Sequence, residues 1–191
     1  MMSKRFAVLL VCMLCPLLQS CVPLAVTGVA AGAMMATDRR TGGIYIEDQN
    51  VELKALGVLH HYSTAHVNAT SYNLTVLLTG EVPDEAVKKK IVDEVRAIPS
   101  VKNVIDQTQV AGVSSMASRG NDSLVTSNVK ARMLNNKVFN VNHVKVVTEA
   151  GVVYLMGLLT RAEADEAVFV ARNTSGVQRV VPLFEYVVIT S

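Results

Sequence analysis

The sequence contains no tryptophan, and aromatic residues make up only 5% of its 191 residues. Surfaces that stack the bases of single-stranded nucleic acid depend on aromatic side chains, so this composition argues against that role. The sequence also lacks a Gly-x-Ser-x-Gly elbow, a phosphate-binding P-loop and a dinucleotide fingerprint. We therefore predict that the protein is not an enzyme, with no catalytic residues and no cofactor.

Histidine is scarce as well, with four residues in the chain. Three of them form a loose cluster, His60, His61 and His66, without an acidic or cysteine partner at metal-ligand spacing. We interpret them as surface residues at a helix end and predict no metal site. Two adjacent acidic pairs on a predicted helix are interpreted as exposed charge rather than as an acid–base dyad; they are Asp84-Glu85 and Asp93-Glu94.

The N-terminus has the parts of an export signal. Lys4 and Arg5 precede an apolar stretch at residues 6–18, which is too short to span a bilayer comfortably. Leu-Gln-Ser-Cys at residues 18–21 then resembles the lipobox of bacterial lipoprotein signal peptides. An ordinary signal peptide with an incidental cysteine is the alternative. The resemblance implies removal of residues 1–20, diacylglycerol on the sulfur of Cys21 and acylation of the new amino group.

Removal of that segment changes the charge and the cysteine content. The formal charge of +2 comes from Lys4 and Arg5, so the mature chain is neutral, which argues against bulk nucleic-acid binding. Cys12 and Cys15 are lost with the signal and Cys21 carries lipid, so no disulfide can form. By resemblance to lipoprotein sorting signals, Val22 directly after the cysteine implies that the protein is located in the outer membrane.

A connecting segment follows the lipidated cysteine. Residues 22–36 are small and apolar, and they favour either a short helix near the lipid or a flexible stalk. Residues 37–43 are polar and turn-prone. We assign residues 21–46 to a lipidated tether.

The rest of the chain contains two similar halves. Val-Leu-Leu-Thr-Gly at residues 76–80 precedes a helical pattern over residues 84–98, and Val-Tyr-Leu-Met-Gly at residues 153–157 precedes one over residues 161–174. The two glycines, Gly80 and Gly157, are 77 positions apart, and both are predicted to allow close packing or a bulge. A near-constant offset over several elements indicates an internal duplication.

Each half is predicted to have the order α-β-β-α-β, an α+β fold with helices packed on a small mixed sheet. The first helices are predicted over residues 50–61 and 122–135, with Asp122 and Ser123 as N-caps of the second. The strands are predicted over residues 67–72, 76–80 and 104–110, and over residues 144–148, 153–157 and 180–189.

This order, with the strand glycine before the second helix and Gly-Val-x-x-Val at residues 176–180, resembles the BON domain. We assign residues 47–112 and 120–190 to two such domains. The whole arrangement resembles outer-membrane lipoproteins with tandem BON domains. That resemblance implies binding to anionic phospholipid, support of envelope integrity, and links to outer-membrane protein assembly and cell division.

In that family the lipid-facing surface is the first helix of the second domain. The residues to which the role is carried over are Leu124, Ser127, Lys130, Arg132, Leu134 and Lys137. Leu124 departs from the family pattern, which has tryptophan there, and leucine lacks the indole's preference for the headgroup boundary. On the same helix, Val125, Val129 and Met133 form a separate apolar face suited to the core.

Charge supports the second domain as the membrane-facing one. Residues 47–112 carry a formal charge of −3, whereas residues 113–191 carry +2, the sign that an anionic bilayer attracts. Two alternatives stay open: a solvated basic face on an ordinary surface helix, and a protein-interaction scaffold whose only membrane contact is the anchor.

Overall fold

The computed structural model describes residues 37–188. The predicted signal segment, the lipidation site Cys21 and most of the predicted tether lie outside the described residues.

The described chain has the order helix, two strands, helix, strand, twice over. The first module comprises α1 (Gly42–Leu59), β1 (His66–Tyr72), β2 (Thr75–Val82), α2 (Glu85–Arg96) and β3 (Asn103–Val110). The second comprises α3 (Met116–Leu134), a 3₁₀ turn (Val141–His143), β4 (Val144–Glu149), β5 (Val152–Leu159), α4 (Arg161–Arg172) and β6 (Arg179–Tyr186). The predicted α+β fold with two α-β-β-α-β modules is confirmed.

Each module has a three-stranded mixed sheet with its middle strand second in sequence. β2 pairs antiparallel with β1 and parallel with β3, and β5 pairs in the same way with β4 and β6. The antiparallel pairs are joined by tight hairpins, while each parallel pair is joined through a helix, as a parallel connection requires. The two hairpin turns have positive φ at both central residues, Asn73 and Leu74 in one and Ala150 and Gly151 in the other, as a type I′ turn demands.

The helices of each module cover one face of its sheet. In the first module Val76 and Leu78 of β2 pack with Ile91 and Val95 of α2. In the second, the inward face of α3 supplies three buried side chains to the core, Val125, Val129 and Met133, which confirms the predicted core face.

The opposite faces of the two sheets pack against each other. Leu77 of β2 and Tyr72 of β1 form a buried cluster with Tyr154 and Met156 of β5. Because alternate side chains of a strand point to opposite faces, both middle strands are buried on both sides. The two modules therefore share a second apolar core between their sheets.

Both module-opening helices begin earlier than predicted. α1 starts at Gly42, capped by the Thr41 side chain, whose hydroxyl accepts a hydrogen bond from the Ile44 amide at 3.3 Å. The predicted start at residue 50 is therefore wrong, and residues 42–46 of the predicted tether are helical. β6 ends at Tyr186, short of the predicted residue 189, which itself lies outside the described part.

α3 starts at Met116 with Ser115 as its N-cap. The prediction that Asp122 and Ser123 cap this helix is wrong, because both lie inside it, six and seven residues after its first residue. The Asp122 carboxylate instead accepts hydrogen bonds from the backbone amides of Ala150 and Gly151 at 2.9 and 2.8 Å. Within residues 37–188, no helix combines the length and hydropathy needed to cross a bilayer.

Candidate membrane-facing surface

The outward side of α3 carries exposed apolar groups. Leu124 is 66% exposed and Leu134 is 68% exposed, and Ser127 and Lys130 on the same side are also exposed. At 3.6 residues per turn these four side chains span about 120° of the helix circumference. They form one continuous surface opposite the core, which we call the α3 patch.

The α3 patch is longer than the sequence indicated. Met116, in the first turn of the helix, is 76% exposed and lies at the same angular position as Leu134 in an ideal helix. The sequence prediction missed it because the helix was predicted to begin six residues later, at Asp122. Had Ser115 been predicted as the N-cap, Met116 would have been placed in the first turn of the helix.

Arg132 does not belong to this surface. Two positions on a helix are separated by about 200°, so Arg132 points away from Lys130. Its Nη1 donates a hydrogen bond to the backbone carbonyl of Asn173 at 2.8 Å, just beyond α4. Arg132, to which the lipid-facing role was carried over, therefore does not share the side of the helix that carries Lys130; its guanidinium instead links α3 to the end of α4.

Lys137 is exposed, but it lies three residues beyond the end of α3. The chain bends there, and Asn136 caps the bend by accepting a hydrogen bond from the amide of Val138 at 2.8 Å. The prediction that the helix face extends to Lys137 is therefore wrong, although the residue still flanks the C-terminal end of the α3 patch. No ion pair of the described residues involves Lys130 or Lys137.

The segment that leads into α1 is bound to the second module. Arg39 donates to both carboxylate oxygens of Glu163 at 2.6 and 2.8 Å, and to the Leu158 carbonyl at 2.9 Å. These hydrogen bonds are the main reason that the pKa of Glu163 falls to about 2. Asn142 donates to the hydroxyl of Thr37 at 2.8 Å. Residues 37–40 are therefore docked, not a solvated tether.

The next residue, Arg40, is bound to the first module. Its guanidinium donates to the buried carboxylate of Asp48 at 2.7 Å and to Asp38 at 2.6 Å. It also lies 4.1 Å from the ring centroid of Tyr72 and 4.9 Å from that of Tyr45, a cation–π arrangement. Burial raises the pKa of Tyr72 to about 12. Two consecutive arginines thus fix the entering chain to both modules.

A buried aspartate on the first helix of each module holds the hairpin of that module. Asp48 on α1 accepts hydrogen bonds from the amides of Asn73 and Leu74, both at 2.8 Å. Asp122 on α3 does the same for Ala150 and Gly151. The sequence prediction did not recognise this repeated device, since it depends on a contact between a helix and a distant turn.

The predicted histidine cluster is separated in the fold. His60 and His61 are exposed just after α1, whereas His66 is half-buried at the start of β1. The prediction that His66 has no acidic partner is wrong. One ligand atom each of His66, Glu81 and Glu149 lies within 4.8 Å of the others.

The architecture agrees with comparisons to known proteins. Residues 49–112 and 121–187 match the BON domain, and together they make up well over half of the chain. The protein therefore belongs to the BON-domain family, with two copies of the domain.

A particular relative matches almost the whole chain. Over 187 residues the sequence is 34% identical to "Outer membrane lipoprotein DolP" of Haemophilus influenzae, covering 96% of both chains. It is 31% identical over 157 residues to the "21 kDa hemolysin" of Actinobacillus pleuropneumoniae, covering 78% of this chain and 79% of that one. It is 26% identical over 160 residues to "Osmotically-inducible protein Y" of Escherichia coli, covering 81% and 80%.

Proposed function

We propose that this protein is an outer-membrane lipoprotein that binds anionic phospholipid through the α3 patch and supports the integrity of the envelope. Acyl chains on Cys21 hold it at the membrane. Both the lipobox and the name of the DolP relative support the lipoprotein assignment. We further propose that it performs no catalysis and that it contributes to outer-membrane protein assembly or cell division through contacts made at the bilayer.

The observation that carries this proposal is the combination of exposed leucine and unpaired lysine on one helix. Leu124 and Leu134 bury apolar area if they enter the headgroup region, at roughly 1.5–3 kcal/mol for each fully buried side chain. Lys130 and Lys137 each add about 1 kcal/mol near an anionic surface. These contributions are modest, but a lipid-anchored protein needs only modest affinity, since the anchor keeps its effective concentration at the bilayer high.

The anchor must be absent when the patch is tested. Residues 37–191 form one compact unit, and we expect this fragment to cosediment with vesicles of phosphatidylcholine and phosphatidylglycerol, and not with phosphatidylcholine alone. The double variant Lys130→Glu/Lys137→Glu should lose that binding. Raising the salt concentration should weaken binding of the native fragment, because exposed charges are screened within about 10 Å at 0.1 M.

A matched control changes the net charge equally on the first module. Lys54 and Lys90 are exposed and belong to none of the ion pairs of the described residues. Lys54→Glu/Lys90→Glu should therefore keep most of the binding. If both double variants lost vesicle binding equally, the effect would come from net charge alone. The α3 patch would then have no specific role in binding.

A second candidate is a protein-interaction scaffold, favoured by a groove on the other side of the second module. This cavity of about 470 Å³ lies between α4 and β6 and contains Phe169 and Tyr186 in its lining. Phe169 is 61% exposed and Tyr186 is 49% exposed, and exposed aromatic side chains are common at protein interfaces. If Phe169→Ser abolishes crosslinking to envelope proteins while the native fragment never binds vesicles, the scaffold is the better description.

A further inference from the structure

Three potential metal ligands meet where the two modules touch. His66 and Glu81 are direct partners across β1 and β2 of the first module, and Glu149 ends β4 of the second. One nitrogen or carboxylate oxygen of each lies within 4.8 Å of the others. Such a triad is assembled only by the packing of the two sheets.

The two carboxylates of this triad are unusual in their surroundings. Glu81 and Glu149 are each only 8% exposed, and neither carboxylate forms an ion pair with a lysine or arginine among the described residues. Glu149 accepts a hydrogen bond from Asn68 at 3.1 Å, and Glu81 accepts one from the amide of Ser114 at 3.1 Å. Two buried like charges this close favour either a shared cation or a proton.

The surroundings also leave His66 available. His66 takes part in none of the ion pairs of the described residues. His66 and Glu149 line a cavity of about 370 Å³ that also contains Arg119 in its wall. The Nε of Arg119 is buried without a hydrogen-bond partner, so the arginine does not neutralise the carboxylates through that atom. The cavity therefore borders two of the three potential ligands.

We propose that His66, Glu81 and Glu149 bind a divalent transition-metal ion, with zinc as the best candidate, and that this ion joins the two modules. Imidazole and carboxylate are both ordinary zinc ligands. Tetrahedral zinc with bonds of about 2.1 Å places its ligand atoms about 3.4 Å apart, so displacements of about 1 Å close the site. Three protein ligands leave the fourth position to water.

The burial of Glu149 beside Glu81 supports the same site, because two buried carboxylates within 4.8 Å of each other repel when both are ionised. A bound cation removes the repulsion that keeps the pair unfavourable, and it favours the ionised carboxylates. Because two ligands come from one module and one from the other, binding stabilises the docked arrangement by linkage.

The test uses the full-length lipoprotein in detergent, stripped with a chelator and dialysed against zinc chloride. We expect one zinc ion per chain and a zinc-dependent rise in Tm. His66→Ala and Glu149→Gln should each weaken zinc binding by roughly tenfold or more. Glu149→Gln keeps the shape of the side chain and an oxygen for Asn68, so its fold should be retained, which circular dichroism checks.

The double variant His60→Ala/His61→Ala is the matched control, since both residues are exposed at the end of α1. It should bind zinc as the native protein does. A direct reading comes from cobalt substitution, which should give the visible absorption of a tetrahedral site in the native protein and in the control, but not in Glu149→Gln. Absence of bound zinc, or binding unchanged by both His66→Ala and Glu149→Gln, would overturn the proposal.

Discussion

The ion pair between Arg39 and Glu163 joins the entering chain to the second module with two parallel hydrogen bonds. The side chains are only 20% and 11% exposed, and the guanidinium fork matches the carboxylate, which makes this geometry stronger than an ordinary surface pair. Glu163 also completes a capping box with Thr160 at the start of α4. A test of the ion pair must therefore spare the cap.

Glu163→Gln meets that condition, because glutamine also serves at the third position of a capping box. We expect it to lower the free energy of unfolding at pH 7 by about 1.5–3 kcal/mol, the usual range for hydrogen bonds to charged groups. Urea denaturation of residues 37–191 measures the difference. Asp165→Asn, which removes an exposed acid from the same helix, should cost much less.

The stabilisation contributed by Glu163 is expected to fall as the pH is lowered. The folded pKa of Glu163, about 2, lies below the ordinary value of 4.5, so its stabilisation is present above pH 4.5 and disappears as the pH falls through 2. The difference between native protein and Glu163→Gln should shrink between pH 5 and pH 2.5. A difference that stays constant over that range would show that the charge of Glu163 contributes nothing.

Single residues also show where sequence reasoning failed. Asp122 has the side chain of an N-cap, and its local sequence is compatible with one, but its carboxylate holds a hairpin 28 residues further along. Likewise, Arg132 was assigned to the lipid-facing surface together with Lys130, whereas residues two positions apart on a helix point in nearly opposite directions. The contact of Asp122 with Ala150 is tertiary and could not be predicted locally, but the direction of Arg132 follows from helix geometry alone.

At the scale of elements, the repeated glycine of the middle strand has one steric role in both modules. An added Cβ at Gly80 would lie 2.0 Å from the carbonyl oxygen of His66, and one at Gly157 would lie 2.6 Å from that of His143. The predicted close packing is confirmed at both sites. Only Gly80 also has a strongly positive φ, of 114°.

The difference in φ predicts that a change to alanine destabilises the protein more at Gly80 than at Gly157. Gly80→Ala combines backbone strain with a clash, and we expect a loss of about 2–5 kcal/mol. Gly157→Ala has the clash alone and should lose about 1–3 kcal/mol. Free energies of unfolding from urea titration of residues 37–191 measure both.

Gly57→Ala is a control that should raise the free energy of unfolding rather than lower it. Gly57 lies inside α1, and a Cβ there meets no atom within 4 Å, so alanine should stabilise the helix by about 0.5–1 kcal/mol. If Gly80→Ala were as well tolerated as Gly57→Ala, the steric explanation of the repeated glycine would be wrong.

The element order was predictable because it rests on local signals. Apolar runs such as residues 76–78, helical spacing in α2 and α4, and turn residues at the hairpins all appear twice. Helix starts were harder to place, because Thr41 and Ser115 cap helices whose first turns carry little amphipathic pattern. Met116 was therefore missed as part of the α3 patch.

At the scale of the whole molecule, the two modules form one body through their sheets and through the docked segment at residues 37–40. This packing was left open by the sequence. The continuous apolar run at residues 76–78 is typical of a strand buried on both faces, but it does not specify that the covering layer is the sheet carrying Tyr154 and Met156. Polar contacts across the boundary, such as Lys145 with Glu52 at 2.5 Å, depend on that packing.

If Cys21 is lipidated as we propose, only a short segment connects the anchor to this body. Fifteen residues separate Cys21 from Thr37, and a chain of that length extends to at most about 55 Å. We propose that an anchor within this reach keeps the α3 patch at a high effective concentration near the bilayer. We propose that this patch contacts lipid directly.

The variant Leu124→Trp is a direct probe of this contact, because the native chain contains no tryptophan and all tryptophan emission then comes from one site. On vesicles containing phosphatidylglycerol, Leu124→Trp in residues 37–191 should show blue-shifted emission and quenching by brominated lipid. Leu53→Trp, at an equally exposed site on α1 (67% exposed against 66% for Leu124), should show neither. Emission from Leu124→Trp that stays unshifted on vesicles, or equal quenching at both positions, would contradict contact through α3.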